Sequence, residues 1–308
     1  TVDGSKVYDN DIIKQKTDLG LDLVPYPQIF NDVNNQKAEV ILYRPTGESG
    51  DFEKANFPIG VEGGKTSTCP TQNLMEAYDM KDGTPFVWNN QSNPYDNRDP
   101  RMKYTIVCNE MKWPVDPVEI WEGGTNGLPL QNATTTGYYL KKYVNNTISF
   151  EAGSTVTKKQ HNWVLFRYGE ILLNYAEAMI NAFHDPNYKD AVYNMSAREA
   201  VNQIRGRTNI SLPGFPSDIT EKDFVKRLKN ERRVELAFEG HRFWDVRRWK
   251  ELGQTANIYG VKITKNNEVI SYEKFLLETR AVTDNMYFYP IPNTERFKNP
   301  NLGQNPGW

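Results

Sequence analysis

The sequence predicts a mainly α-helical protein with long aromatic-rich loops and a minor β-hairpin component. Three stretches carry that expectation. Tyr168, Leu172, Tyr175, Met179 and Phe183 recur at helical spacing and make one apolar face. Ser196 and Glu199 form an S-x-x-E capping box, in which each side chain satisfies an orphan backbone N–H ahead of Ala200, Val201 and Ile204. The run Asn230 to Lys250 reads as helix within a longer one, from Glu221 to about Leu252, but charges occupy its apolar stripe.

The remaining elements follow in order. Residues 1–60 are mostly irregular, with Pro25 and Pro27, a short helix after them, and an extended run from Ala38 to Arg44 ended by Pro45. Residues 61–150 are loop-rich. A helix is expected near Gln72 to Met80, with Leu74, Met75 and Tyr78 on one face. Turn signals crowd the rest: Asp82-Gly83, Asn93-Pro94, Asp99-Pro100, Gly123-Gly124 and Asn126-Gly127. A loop region of this length inside a compact chain is usually functional. Tyr138 to Val144 reads as a strand. From Phe166 the pattern turns helical, and the helices before and after Asp185-Pro186 resemble one tetratricopeptide-type unit. One such unit cannot bury its own face, so neighbouring helices are expected N-terminal to this chain. After the helical scaffold (166–252), residues 253–308 combine a hairpin at VKITKNNEVI with Tyr- and Pro-rich coil, anchored by Tyr287, Tyr289 and Ile291.

The charged stripe sets the main question. Phe224, Leu228, Glu231, Glu235, Phe238 and Arg242 share a face at spacings of three and four. A carboxylate facing a core is costly unless paired and hydrogen-bonded. Arg232, Arg233, Arg242 and Arg247 are near enough in sequence to pair. The segment is thus a buried ionic lattice or a charged working surface. The lattice is favoured, built from Glu231, Arg232, Glu235, Glu239, Arg242 and Asp245. In NRDPR, Arg98 and Arg101 flank a turn-forming Asp-Pro and can bridge carbonyls and carboxylates.

Composition narrows function. The 308 residues are 38% hydrophobic and 25% charged, with a formal net charge of −2, so nothing global draws the chain to nucleic acid or an anionic membrane. Lys226 to Lys250 holds nine Lys or Arg against four Asp or Glu, but the acids share faces with the bases, as an internal network requires. No stretch approaches the roughly 18 apolar residues of a membrane span, and TVDGSKVYDN looks like the middle of a longer protein. Cys69 and Cys108 lack CxxC spacing and are expected as free thiols; His161, His184 and His241 are isolated; no phosphate-cradling glycine motif occurs. Acidic loops such as Asp116 to Glu122 could supply calcium ligands, without EF-hand spacing, so no cofactor is assigned. Aromatics stand out, with 7 Trp, 17 Tyr and 14 Phe.

Seven segments resemble the SusD/RagB family in order: MEAYDMKDGTPF (75–86), NPYDNRDPRMKYTI (93–106), TGYYLKKY (136–143), FRYGEILLNYAEAMINA (166–182), AREAVNQIRGRTNI (197–210), NERRVELAFEGHRFWDVRRW (230–249) and YPIPNTERFKNPNLGQNPGW (289–308). The resemblance implies a SusD-like fold, with residues 61–308 as a C-terminal domain and 1–60 as a lead-in from a truncated N-terminal half. It implies a nutrient-binding outer-membrane lipoprotein at the cell surface, working with a SusC-like TonB-dependent transporter. The signal peptide and the lipid-carrying Cys of that pattern are absent here, so anchoring is an expectation about the parent protein.

The leading expectation is non-catalytic glycan binding. Sugar C–H faces pack on Trp and Tyr, and hydroxyls need planar polar partners. FVWNNQSNPY sets Trp88 beside Asn89, Asn90 and Gln91, while Lys112 to Asn126 sets Trp113 and Trp121 among acids and Asn126. Trp88, Trp113 and Trp121 are the expected platforms, with Asn89 and Asn126 as hydrogen-bonding partners. Oligopeptide uptake is the nearest alternative. A glycoside hydrolase needs two carboxylates about 5 to 9.5 Å apart in a cleft, and no motif pairs them.

Overall fold

The computed structural model describes residues 20–31, 38–89, 93–151 and 157–308. The opening segment, Asn90 and Gln91 lie outside them. The short helix α1 (Gln28–Asn31) follows Pro25 and Pro27, and β1 (Val40–Pro45) leads to α2 (Asp51–Asn56). Helix α3 (Gln72–Met75) is one turn, with the Thr71 hydroxyl accepting from Leu74 N–H. Asp99 caps α4 (Pro100–Thr105), which has proline in its first turn where no N–H partner is needed. Two residues of β2 (Ile106–Val107) pair antiparallel with β3 (Tyr139–Leu140). Strand β4 (Asn162–Arg167) pairs antiparallel with β1, tying residues 40–45 to the body. It runs directly into α5 (Tyr168–Phe183), followed by α6 (Ala197–Arg205), α7 (Glu221–Glu235) and α8 (Arg242–Arg248). A hairpin of β5 (Asn257–Asn266) and β6 (Val269–Thr279) precedes α9 (Asn293–Lys298).

Helices α5, α6 and α7 bury one shared cluster that includes Leu172, Ala176, Ile180, Val201, Ile204 and Phe224. Burying each of the larger side chains contributes about 1.5–3 kcal/mol. The capping box at the start of α6 is complete: Glu199 N–H donates to Ser196 Oγ and Ser196 N–H to the Glu199 carboxylate. A second cluster lies under the loops, around Phe57, Met75, Tyr78, Ile106, Trp113 and Tyr138. The long loops therefore carry a core of their own.

Several elements differ from the sequence expectation. The helix expected from Glu221 to Leu252 breaks after Glu235. Phe238 (φ 61°) and Gly240 (φ 85°) adopt left-handed backbone, which a helix cannot continue through. Phe238 is consequently 37% exposed, and Arg242 restarts a separate helix. The helix near Gln72–Met80 stops at Met75, because Asp79 and Met80 turn to bond the segment 97–99. The strand expected to Val144 ends at Leu140, and Phe166 belongs to β4 rather than α5. In the C-terminal coil, Tyr289 stacks on Phe243 with ring centroids 6.0 Å apart, but it remains exposed.

The inward face of α7 sits in an ionic lattice. Glu235 is fully buried and meets Arg101 at 2.8 Å, Arg167 at 2.8 Å and Arg207 at 2.7 Å. Glu231 meets Arg101 at 2.5 Å and Arg205 at 2.7 Å. Glu239 reaches Lys142 and Arg167, both at 2.7 Å. Glu39 pairs with Arg167 at 2.8 Å and with Arg207, and Asp99 with Arg101 at 2.7 Å. Arg232 holds Asp245 at 2.9 Å. Arg98 donates to the carbonyls of Met75, Tyr78 and Pro94. Arg242 stands outside this lattice and donates to Gln254, because the break at 236–241 carries it away from the α7 stripe.

Two outcomes follow. Burial alone would raise the pKa of Glu235, but Arg207, Arg167 and Arg101 outweigh it and hold the carboxyl far below its usual range. Glu231 and Glu239 are lowered in the same way by their cations, against burial. Such groups stabilise the fold above their unfolded pKa of about 4.3, and that stability is lost as pH falls toward the folded values. The urea midpoint should therefore drop as pH falls below about 4.5 and stay nearly level between about 6 and 8. Glu235→Ala leaves three arginines without their shared carboxylate. It should cost about 3 kcal/mol or more in urea denaturation at neutral pH.

Candidate functional site

A cleft of about 760 Å³ opens among the loops, between residues 60–62, 113–119 and 146–151. Its first wall follows α2. Its second is a tight reversal after Cys108, in which Trp113 N–H donates to Asp116 O at 2.9 Å and Val118 N–H to Met111 O at 2.9 Å. Buried Asn109 fixes the exit of this reversal by accepting from Ile120 N–H at 2.8 Å. The Trp113-Pro114 peptide is cis. The third wall carries Asn146, Ser149 and Phe150.

The lining is mixed in kind. Pro114, Val115 and Phe150 supply apolar surface, and Val115 is 76% exposed. Glu62, Asp116, Glu119 and Glu151 line the cleft, with no Lys, Arg or His among the described residues that line it. Glu119 is occupied by the backbone N–H and hydroxyl of Thr125. The Asp116 carboxylate has no side-chain partner among the described residues, so its acceptors are free for a ligand. Such a surface can bind a polar molecule through hydroxyls or amides while packing part of it on apolar faces.

Of the five residues expected to bind ligand, Trp113 and Asn126 line the cleft, while Trp88, Asn89 and Trp121 do not. Trp113 is only 3% exposed and lies edge-on to Phe57, ring centroids 5.4 Å apart, so it forms the floor of the cleft as core rather than as an open platform. Asn126 is 5% exposed; its Oδ1 accepts from Gly60 N–H at 2.8 Å and its Nδ2 donates to Thr125 Oγ1. A Cβ at residue 60 would lie 2.6 Å from Asn126 Oδ1, so glycine lets this clamp close. Trp121 is outside the cleft lining, with the Lys265 ammonium 4.4 Å above its ring. Trp88 packs edge-on to Phe86 at 6.4 Å, and neither it nor Asn89 lines this cleft.

Among the described residues no group of three or more His, Cys, Asp or Glu converges as a metal site. Glu122, in the segment considered for calcium, pairs with Lys262 at 3.3 Å. Both cysteines are free thiols, and burial pushes Cys108 up to about 12, which keeps it protonated. His161, His184 and His241 each face a different carboxylate: Glu53, Glu221 and Glu170.

The model of the SusD family (SusD_RagB) matches residues 29–308. The chain belongs to the SusD family. Its fold matches a SusD-like protein from Bacteroides fragilis with a TM-score of 0.79 at 26% identity, covering 97% of this chain and 62% of that one. A SusD-like carbohydrate binding protein from the same species gives a TM-score of 0.74 at 23% identity, covering 96% and 62%. SusD-like protein P2 of Formosa agariphila is 29% identical over 163 residues, which is 51% of this chain and 28% of that protein. The chain thus spans less than two thirds of the solved relatives, and its match spans less than a third of P2.

Several residues of this SusD-family chain escaped the sequence reading. The lattice draws on Glu39, Asp99, Lys142, Arg167, Arg205 and Arg207, none of them within α7 or α8. Arg167, Arg205 and Arg207 do lie in the family segments FRYGEILL and QIRGRTNI, which was the available signal. Arg233 and Arg247, considered as lattice cations, bond instead to the carbonyls of Asn73 and Phe243. Because Trp113 is core, Trp113→Ala should cost about 3–5 kcal/mol of stability by urea denaturation. Any loss of ligand affinity in that variant must then be read beside its unfolding curve.

Proposed function

We propose that this chain is the non-catalytic glycan-binding part of a cell-surface uptake protein, and that the loop cleft is its sugar site. The observation that carries the reading is the cleft itself. Pro114, Val115 and Phe150 offer faces for sugar C–H groups beside Asp116, Asn146 and Ser149, whose oxygens and amide suit hydroxyls. Family membership supports it, as does the carbohydrate binding named for the B. fragilis relative. Delivery to a SusC-like TonB-dependent transporter, and a lipid anchor holding the full-length protein to the outer membrane, belong to the same proposal. They rest on the family resemblance.

Oligopeptide binding is the second reading, and one observation favours it. Among the described residues four carboxylates and no cation line the cleft, which suits a basic peptide. Titration with a panel of neutral oligosaccharides and of Lys- or Arg-containing peptides separates the two.

Asp116→Ala should weaken glycan affinity about fivefold to tenfold, as expected for losing a hydrogen bond to a charged acceptor. Its unfolding midpoint should stay within about 0.5 kcal/mol of the parent, since the side chain holds nothing else in place. Calorimetric titration reads the first and urea denaturation the second. Unchanged affinity for a bound glycan would remove this cleft from the proposal. Peptide binding without glycan binding would establish the second reading.

A further inference from the structure

Helix α7 has a second charged face. Lys226, Lys229, Asn230 and Arg233 occupy the i, i+3, i+4 and i+7 positions opposite the buried glutamates. They line a cavity of about 280 Å³, closed by Arg227, by Arg242 of α8 and by the Pro85-Phe86 loop. Among the described residues five cationic side chains meet two carboxylates there, and both carboxylates are already paired, Asp79 partly with the lining cation Arg227. Glu76 pairs with Lys274 at 2.8 Å, and Asp79 with Arg205 at 3.2 Å and Arg227 at 3.5 Å. Lys229 is held by Glu251 at 2.5 Å.

Among the described residues no carboxylate pairs with Lys226, Arg233 or Arg242; Glu76 acts on Arg233, and Glu251 and Asp245 on Arg242, only from beyond ion-pair distance. Arg233 makes one side-chain hydrogen bond, to the Asn73 carbonyl at 2.8 Å, and Arg242 one, to Gln254 Oε1 at 2.8 Å. Arg98 also lacks a carboxylate, but its terminal nitrogens are taken by three carbonyls. Arg101, Arg167, Arg205 and Arg207 all reach acids. The pair in this pocket is different: each guanidinium makes a single side-chain hydrogen bond, and both line one cavity. Burial and the Arg242 charge together pull the Arg233 pKa down to about 10, and burial lowers that of Arg242. A guanidinium has five N–H donors, so an anion in this cavity would meet donors that the chain itself leaves unused.

We propose that this pocket is an anion subsite for the carboxylate or sulfate of a monosaccharide-sized acid, with Pro85 and Phe86 as its apolar wall. The sugar part of the assignment rests on the glycan reading; the anion part stands on the pocket alone.

The chain is titrated by calorimetry at fixed ionic strength with glucuronate, glucose 6-sulfate, glucose and inorganic sulfate. The same titrations are run on Arg233→Gln and Arg242→Gln. Arg247→Gln, a cation outside this pocket, is the control. Glucuronate or glucose 6-sulfate should bind where glucose does not, and the stronger of the two names the anion. Arg242→Gln should weaken that binding at least tenfold with a nearly unchanged melting temperature, because Gln254 is its one side-chain hydrogen-bond partner among the described residues. The control should stay within twofold. Inorganic sulfate binding as well as either sugar acid means an adventitious ion only and overturns the assignment. Absence of anion binding, or binding indifferent to both pocket substitutions, also overturns it. Neutral-glycan binding is measured on the same variants. Its persistence while anion binding is absent rejects this pocket alone; its absence while sugar acids bind rejects the loop cleft alone.

Discussion

The fold depends on one buried carboxylate. Glu235 lies on the inward face of α7 and is met by arginines from three other places in the chain: Arg101 of α4, Arg167 at the end of β4 and Arg207 just after α6. No single pair would justify burying that charge, since taking two ions from water costs several kcal/mol apiece. Shared partners change the balance. Each arginine also reaches a second acid, so a side chain ordered for one contact serves another without further loss of freedom. The cost is a strict geometric demand: α4, β4, the α6–α7 connection and α7 must all arrive together. The lattice therefore fixes where the elements sit, while the apolar cluster of α5, α6 and α7 supplies the main attraction.

The same helix divides its charges between two tasks. Glu231 and Glu235 turn inward and are matched; the bases at 226, 229 and 233 lie on the opposite face. A uniform helix continuing to Leu252 would have placed Arg242 over the lattice. The break at Phe238 and Gly240 instead lets Glu239 fold back onto Lys142 and Arg167 and sends Arg242 to the outer pocket. One local backbone feature thus sets both the inner network and the outer basic cavity.

What the sequence revealed tracks how local the physics is. The apolar face of α5 and the Ser196–Glu199 capping box depend on residues at most a few turns apart, and both were legible. The inward acids of α7 were legible as an anomaly, because charge on an apolar stripe demands partners. The partners were not, since Glu39, Arg167 and Arg207 come from distant segments and no spacing rule links them. Gly240 was a readable stop signal, but the helical periodicity across it obscured the break. At the candidate site, aromatic content marked the loop region without separating roles. Trp113 and Asn126 sit in polar, turn-rich sequence, yet one packs on Phe57 and the other clamps Gly60. Exposure of a loop side chain depends on how the loop closes, and that is decided by contacts remote in sequence.

This separation bears on how such a chain can change ligands. The lattice residues and the helical core are coupled, so substitution at any one strands a buried charge or opens a cavity. The cleft residues are coupled only weakly to that framework. Val115 is mostly exposed, and Asp116 holds no other side chain in place. The loop that carries them is nevertheless well seated, because Trp113 and Asn109 below it are buried and bonded. A rigid base under replaceable contact residues lets recognition vary at little cost to folding. Most of the segments that carry the family resemblance hold lattice or helical-core residues, and these leave the ligand unnamed. In the proposed site, the contact side chains are ones whose loss the fold would tolerate.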